Sequence, residues 1–388
     1  MIATKLTKDN VFELADRSRG GRPLVMPNLL GSGFIRNQLG KSSATIPDEL
    51  EFAERYGYAP YVLVFYSPMV DLISRWADQL CWDEDVVEDE QVVKKTRTLQ
   101  TPYGELTDRT RYHKETQLTH HVEEMVKDEK DVEAVGWIID ESVSVLRERH
   151  SEIKQALLEQ IAPRVEEIGD RGLSVFHLWM PNEEVLYPHF TQVSMHYFLH
   201  DYPELAYRLI EKAMAYTQFQ IEVGIEANVD AMQTAVWGYE QFSPRLYEEH
   251  ITPYLQASSK QAQAGGVLFW IHTCGHMKGL LENKTYHEFE VDILECLNYP
   301  PAGDVDDWPR LRRFVPEGTI TKGNLEDSLL WQGPIEKIKS KTWQILEESE
   351  GFKHILATSN NIFNDTPLEH FEAMLEAVDE YCAANGLG

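Results

Sequence analysis

Eight short apolar runs, separated by stretches of helical pattern, most restrict the fold of this chain. They are rich in valine, isoleucine and aromatic residues and do not alternate cleanly with polar residues, which is typical of buried parallel strands. The runs are RPLVMPN (22–28), APYVLVFYS (59–67), GLSVFHLWM (172–180), VDAMQTAVW (229–237), GGVLFWIHTCG (265–275), VDILECLN (291–298), GTITKGN (318–324) and KHILATSNN (353–361). Eight strands separated by helices predict an α/β fold, a (β/α)8 TIM-type barrel.

One segment does not follow this alternation of strands and helices. Residues 81–128 carry Pro-Tyr-Gly between two alternating stretches, which predicts an inserted β-hairpin. The residues before the first run form an N-terminal extension. We therefore expect one barrel domain over residues 1–388, with the hairpin as an insertion.

Composition limits the partners and the location that we expect. The formal net charge is −28 and no cluster of lysine and arginine occurs, so a nucleic-acid-binding surface is not expected. No apolar run approaches the roughly 18 residues of a membrane span. The four cysteines are scattered and the N-terminus lacks the apolar core of a signal peptide, which favours a cytoplasmic location.

The carboxyl ends of the predicted strands are polar and aromatic, and active sites of barrels form at these ends. We predict that four residues there bind substrate: Trp237, Asn298, Asn324 and Asn360.

The fifth run ends in a His-x-Cys pair. Residues two apart on a strand point to the same face, so His272 and Cys274 should project together towards the barrel mouth. Imidazole and thiolate are good zinc ligands, and a catalytic zinc needs a third protein ligand and an open position. The spacing alone leaves two interpretations open, a metal site or a packed cysteine beside a hydrogen-bonded histidine.

Several motifs resemble the uroporphyrinogen decarboxylase superfamily over essentially the full length of the chain. The segments that carry the resemblance are TPYGEL, FSPRLYEEHITPYL, HTCGHMKGLL, PPAGDVDDWPRLRRFVPEGTITKGNLED and ILATSNNIFNDTPLEHFEAMLEAV. The resemblance implies the barrel fold, but none of these segments is specific for a substrate.

Two chemistries occur within this superfamily. Resemblance to the decarboxylases implies several arginines and an aspartate at the barrel mouth, but the best arginine cluster, ADRSRGGRP, lacks their longer arginine-rich signature. His-x-Cys-Gly at the fifth strand instead resembles the corrinoid-dependent methyltransferases, in which this histidine and cysteine ligate zinc. This resemblance implies zinc at His272 and Cys274 and a corrinoid supplied by a partner protein.

The eighth strand departs from the thiol-methylating enzymes of the superfamily. These carry a second cysteine a few residues before the Thr-Pro of the last helix, and Asn360 occupies that place here. Two alternatives then stay open: the third metal ligand is Glu240 or Cys296, or the site holds no metal. We expect Cys296 to face the wrong way, because Asn298 lies two residues further on and would share its face.

We therefore expect a methyltransferase that moves a methyl group from a small methylated donor, methoxylated or N-methylated, to the cobalt of a separate corrinoid protein. Zinc would assist the transfer. Two alternatives stay open: a decarboxylase acting on uroporphyrinogen or another acid, and a small-molecule-binding barrel without catalytic activity.

Overall fold

The computed structural model describes residues 5–29, 33–114, 118–123 and 125–387. The chain divides into two compact units. Unit 1 comprises Met1–Tyr66, Leu158–Leu178 and Ile221–Gly388, and unit 2 comprises Ser67–Leu157 and Trp179–Gln220. The expectation of one domain over residues 1–388 stays a prediction.

The secondary structure alternates between strands and helices along most of the chain. The strands are β1 (Leu24–Val25), β2 (Tyr61–Phe65), β3 (Asp83–Glu88), β4 (Val92–Thr101), β5 (Gly104–His113), β6 (Leu118–His121), β7 (Leu173–His177), β8 (Ala231–Trp237), β9 (Leu268–Cys274), β10 (Ile293–Glu295), β11 (Ile320–Leu325) and β12 (His354–Thr358). The α-helices are α1 (Val11–Leu14), α2 (Gly33–Leu39), α3 (Ile46–Tyr56), α4 (Met69–Ile73), α5 (Glu129–Glu148), α6 (His150–Ile168), α7 (Pro181–Leu186), α8 (Gln192–Asp201), α9 (Pro203–Glu226), α10 (Pro244–His250), α11 (Thr252–Ala264), α12 (Lys278–Glu282), α13 (Trp308–Leu311), α14 (Asp327–Gln332), α15 (Ile335–Glu348) and α16 (Leu368–Asn385). None of the helices in the described ranges combines the length and the apolar character needed to cross a membrane.

Unit 1 contains a parallel sheet of eight strands in the order β1-β12-β11-β10-β9-β8-β7-β2. Seven of the eight apolar runs contain one of these strands, and β11 extends one residue beyond the remaining run. The edge strands β1 and β2 are connected by a backbone hydrogen bond of 2.8 Å from Ala59 N to Val25 O. The predicted (β/α)8 TIM-type barrel with an N-terminal extension is confirmed.

The interior of the barrel is layered. Trp270, Ile293 and Ile320 occupy matching positions on β9, β10 and β11 and belong to one cluster of buried apolar side chains. Two residues further along each strand, the matching positions hold His272, Glu295 and Lys322. Because side chains two apart on a strand share a face, an apolar layer lies directly beneath a polar one.

Unit 2 contains the predicted insertion. Strands β3 to β6 form an antiparallel sheet in the order β3-β4-β5-β6, so the insertion is a four-stranded sheet that extends the predicted hairpin. Asp108 on β5 is 1% exposed and accepts two hydrogen bonds from Arg97 on β4, at 3.0 and 2.7 Å. His121 Nδ1 lies 3.1 Å from the other oxygen of Asp108, so this buried carboxylate ties three strands together.

Candidate metal centre at the barrel mouth

The end of β9 positions the predicted His-x-Cys pair. His272 and Cys274 leave the strand on the same side, and both side chains are partly buried. Trp237, at the end of β8, lies opposite Cys274 in the register of the two strands. The parallel sheet therefore brings an imidazole, a thiol and an indole to one side of the mouth.

Cys296 is the third donor of this group. One ligand atom each from His272, Cys274 and Cys296 lies within 4.8 Å of the others, and Cys296 Sγ is 3.2 Å from His272 Nε2. The expectation that Cys296 faces away is wrong. Strand β10 ends at Glu295, and Cys296 and Leu297 have positive φ angles of 85° and 56°, so strand alternation does not continue to Asn298.

Glu240, the other candidate for a third ligand, has a different role. Its carboxylate accepts backbone hydrogen bonds from Gly238 at 3.2 Å and from His276 at 2.7 Å. These bonds brace the loops after β8 and β9. Glu240 therefore supports the backbone that follows the His-x-Cys pair.

The buried carboxylate of Glu295 contacts the imidazole of His272. Glu295 Oε1 lies 2.5 Å from His272 Nδ1 and accepts a 2.7 Å hydrogen bond from Gln233, and Glu295 Oε2 pairs with Lys322 Nζ at 2.6 Å. Glu295 and Lys322 are both fully buried. The Lys322 ammonium also donates to Asn28 and lies 5.0 Å from the centroid of the Trp270 ring.

These contacts set the charge of each group. Burial lowers the pKa of His272, but the Glu295 carboxylate and the Cys274 thiolate outweigh burial and raise that pKa to about 10. A hydrogen bond from Cys296 is the largest of the effects that lower the pKa of Cys274 to about 5. Burial acts to raise the pKa of Glu295, but Lys322 and His272 lower it to about 2. Cys296 and His272 thus both favour the thiolate form of Cys274.

The three donors fit zinc by chemistry and by spacing. Zinc binds thiolates at about 2.3 Å and imidazole at about 2.0–2.1 Å in a tetrahedral arrangement, which separates neighbouring donors by roughly 3.5–4 Å. The separation of 3.2 Å between Cys296 Sγ and His272 Nε2 and the upper limit of 4.8 Å for all three donor atoms bracket that value. Because Nδ1 of His272 faces Glu295, Nε2 is the nitrogen left for a metal. One histidine and two cysteines leave a fourth position open.

The four predicted substrate-binding residues lie in two different settings. Asn360 follows β12, with its Oδ1 3.9 Å from Cys296 Sγ, and Trp237 is beside Cys274. Asn298 and Asn324 are 2% and 0% exposed, and Asn324 Nδ2 donates to Leu297 O at 3.2 Å. Trp237 and Asn360 thus adjoin the metal cluster, whereas Asn324 supports the turn after β10. Substrate binding by all four stays a prediction.

Sequence reasoning missed the polar layer beneath the cluster. Glu295 interrupts VDILECLN and Lys322 interrupts GTITKGN, both of which were predicted to be buried strands. A charged residue in a strand that is buried on both faces requires a partner of opposite charge. One acidic and one basic interruption on consecutive predicted strands could have predicted that Glu295 and Lys322 form a buried ion pair.

Comparison with known proteins relates this barrel to the enzymes of the uroporphyrinogen decarboxylase superfamily. Residues 191–381 match the family model described as uroporphyrinogen decarboxylase (URO-D). The resemblance to this superfamily that the motifs predicted is confirmed, and the match lies in the carboxyl-terminal half of the chain.

Two kinds of enzyme occur among the curated relatives. A methylcobamide:CoM methyltransferase MtaA from Methanosarcina barkeri is 29% identical over 175 residues, which cover 45% of this chain and 47% of that protein. A uroporphyrinogen decarboxylase from Prochlorococcus marinus is 28% identical over 184 residues, with coverage of 45% and 47%. The chain thus spans about half the length of the curated relatives it matches.

A solved structure matches nearly the whole chain. The structure described as a methyltransferase from Methanosarcina mazei has a TM-score of 0.59 and 14% sequence identity, and the match covers 97% of this chain and 99% of that one. At this identity the match shows the fold alone.

Proposed function

We propose that this protein is a corrinoid-dependent methyltransferase, which moves a methyl group from a small methoxylated or N-methylated donor to the cobalt of a separate corrinoid protein. The observation that carries the proposal is the group of His272, Cys274 and Cys296 at the carboxyl ends of β9 and β10. The relative named for methylcobamide supports the same class of reaction.

Each residue of the cluster has a part in the proposed reaction. His272, Cys274 and Cys296 would hold zinc, which supplies a Lewis acid for the oxygen or nitrogen that the methyl group leaves. Glu295 holds the ring of His272 through Nδ1, which leaves Nε2, 3.2 Å from Cys296 Sγ, to bind the metal. Lys322 pairs with Glu295 and keeps its carboxylate ionised in the interior.

Asn360 would contact the donor. Its amide lies beside both cysteines and can donate and accept hydrogen bonds, which suits an uncharged ether or amine. A thiolate at this place would bring a further negative charge to the metal. An amide at the end of β12 therefore favours removal of a methyl group from an uncharged donor over methylation of a thiol.

A decarboxylase would need arginines at the barrel mouth, and the N-terminal arginines do not supply them. Arg17 donates to Leu346 O at 3.2 Å, and Arg22 pairs with Asp379 at 2.6 Å. Arg19 pairs with Glu13. The three arginines of ADRSRGGRP thus contact α15, α16 and the N-terminal extension, away from the carboxyl ends of the strands.

Mixing the zinc-loaded protein with cob(I)alamin and a panel of methoxylated aromatic compounds and methylamines is expected to form methylcobalamin, seen as a change in the cobalamin absorption spectrum. The same protein should release no carbon dioxide from uroporphyrinogen. Release at ordinary enzymatic rates, roughly 1–1,000 per second, would reverse the choice between the two chemistries. Failure of both reactions would favour a binding barrel.

Changing Asn360 to alanine should leave the zinc content near that of the native protein and lower activity by about 10- to 1,000-fold. This loss corresponds to about 1.4–4 kcal/mol of transition-state stabilisation. Asn360→Cys should bind metal more tightly without restoring activity, because a third thiolate makes zinc a weaker Lewis acid. Metal content and initial rates decide the outcome.

The control is Asn385→Ala, at the end of α16, where Nδ2 donates to Tyr381 O and no change in activity is expected. If Asn360→Ala loses its metal outright, Asn360 belongs to the coordination shell and its donor-facing role is wrong.

A further inference from the structure

A second concave site lies at the opposite end of the barrel from the metal cluster. It is a cleft of about 650 Å³ whose lining includes Thr319, immediately before β11, and Lys353, immediately before β12. The cluster of His272, Cys274 and Cys296 lies at the carboxyl ends of the strands, so this cleft belongs to the amino-terminal face. All of its lining residues are in unit 1.

The lining of this cleft is more positive than the protein as a whole. Arg312, Arg313 and Lys353 face two acidic residues, Asp16 and Glu317, in a chain of net charge −28. The Asp16 carboxylate is already engaged by the backbone N–H of Ser18 at 3.0 Å. The cationic groups therefore outnumber the acidic groups that remain to neutralise them.

Arg312 is the member of the lining that points most clearly to a ligand. Its side chain is 4% exposed, and in the described part of the chain its Nε has no hydrogen-bond acceptor. The hydrogen-bond partner of Nη1 is a backbone carbonyl, Glu348 O at 2.7 Å, and the ring centroids of Phe352 and Trp308 lie 2.9 and 5.7 Å from the guanidinium carbon. The Glu348 carboxylate acts on this guanidinium, but in the described part of the chain no carboxylate forms a direct ion pair with it, so Nε lacks the acceptor that usually accompanies burial.

The neighbouring surface shows where an anion would be excluded. The adjoining cleft, of about 680 Å³, also contacts Lys353 but carries Glu288, Glu290 and Asp292. These three carboxylates would repel an anionic ligand. The favourable position is therefore the side of Lys353 that faces Arg312 and Arg313.

We propose that this amino-terminal cleft binds a polyvalent oxyanion, with Arg312 as its buried anchor and Arg313 and Lys353 at its rim. A phosphate group or a pair of carboxylates would supply the acceptor that Arg312 Nε lacks, since the guanidinium fork matches both geometries. The cleft volume is within the range of small-molecule sites. The inference does not rest on the proposed methyl transfer.

Isothermal titration at constant ionic strength tests the site with two probes, pyrophosphate and citrate, against chloride. We expect saturable binding of at least one probe, one per chain, and a rise in the thermal midpoint on binding. Binding of pyrophosphate alone assigns the site to phosphate groups, and binding of citrate alone assigns it to carboxylates. Absence of binding of either probe at millimolar concentration overturns the proposal.

Arg313→Gln and Lys353→Gln should each weaken binding by about 10-fold, since each removes one charged donor from the rim. These variants avoid the packing change that replacement of the buried Arg312 would bring. The matched control is Arg310→Gln, an exposed arginine that pairs with Glu282 outside the cleft, and it should bind normally. Equal weakening in Arg310→Gln would show unspecific charge screening and would overturn the site.

Both probes also chelate metals, so the titration is repeated on the Cys274→Ala protein. Binding in the cleft should be unchanged there, because Cys274 lies at the other end of the barrel. Loss of binding in Cys274→Ala would place the anion at the metal cluster and contradict the inference. Neither result depends on whether the protein transfers methyl groups.

Discussion

Replacing Cys274 with alanine is expected to remove most of the bound zinc, and methyl transfer with it. The native protein should hold about one zinc per chain, and Cys296→Ala should lose metal as severely. Loss of a residue that only orients a ligand costs about 10–100-fold in metal affinity, so loss of a ligand should cost more. Metal analysis after dialysis against a chelator measures the effect.

Cys81 offers the matched control for this experiment. It is exposed and lies outside the cluster, so Cys81→Ala should keep its zinc. An equal and negligible zinc content in the native protein and in Cys274→Ala would end the metal hypothesis. If Cys296→Ala alone keeps its zinc, the third ligand is a different residue.

Replacing Lys322 with methionine is expected to lower the free energy of unfolding by about 3–5 kcal/mol. Methionine is apolar and removes the ammonium that pairs with Glu295 at 2.6 Å, where both side chains have no exposed surface. The Glu295 carboxylate then remains in the interior with one charged partner fewer. Urea unfolding of metal-free proteins measures the change without any contribution from metal binding.

The double variant Lys322→Met/Glu295→Gln should recover part of this loss, since it leaves no unpaired charge in the interior. Lys339→Met serves as the surface control, because Lys339 is only partly buried and pairs with the exposed carboxylates of Glu376 and Glu380. That substitution should change stability by less than about 1 kcal/mol. If Lys322→Met matches the control, the buried pair contributes little to stability.

The barrel could be predicted from the sequence because burial on both faces leaves a continuous apolar run. Each run needs only its own composition to be recognised, and each of the eight overlaps a strand of the sheet. The insertion was predicted in place, but not the number of its strands. Its outermost strand β3 is exposed along its whole length and lacks the apolar pattern by which strands are recognised.

The metal site could be predicted only in part. His272 and Cys274 lie on one regular strand, so the two-residue repeat of strand side chains correctly predicted that both point to the same face. The same repeat predicted the wrong direction for the Cys296 side chain, because β10 ends one residue earlier and Cys296 and Leu297 have positive φ angles. Glu295 and Lys322 meet only through the register of two strands, which local patterns do not contain.

The strand order also determines which parts of the barrel can loosen without disturbing the donors. His272 and Cys274 lie on β9 and Cys296 directly follows β10, two strands that are hydrogen-bonded neighbours at the centre of the sheet order. The edge of that order is where β1 and β2 meet through the bond from Ala59 to Val25. A local opening at that edge would separate none of the three donors from the others. A metal held by these three donors could therefore be retained while that edge of the barrel opens.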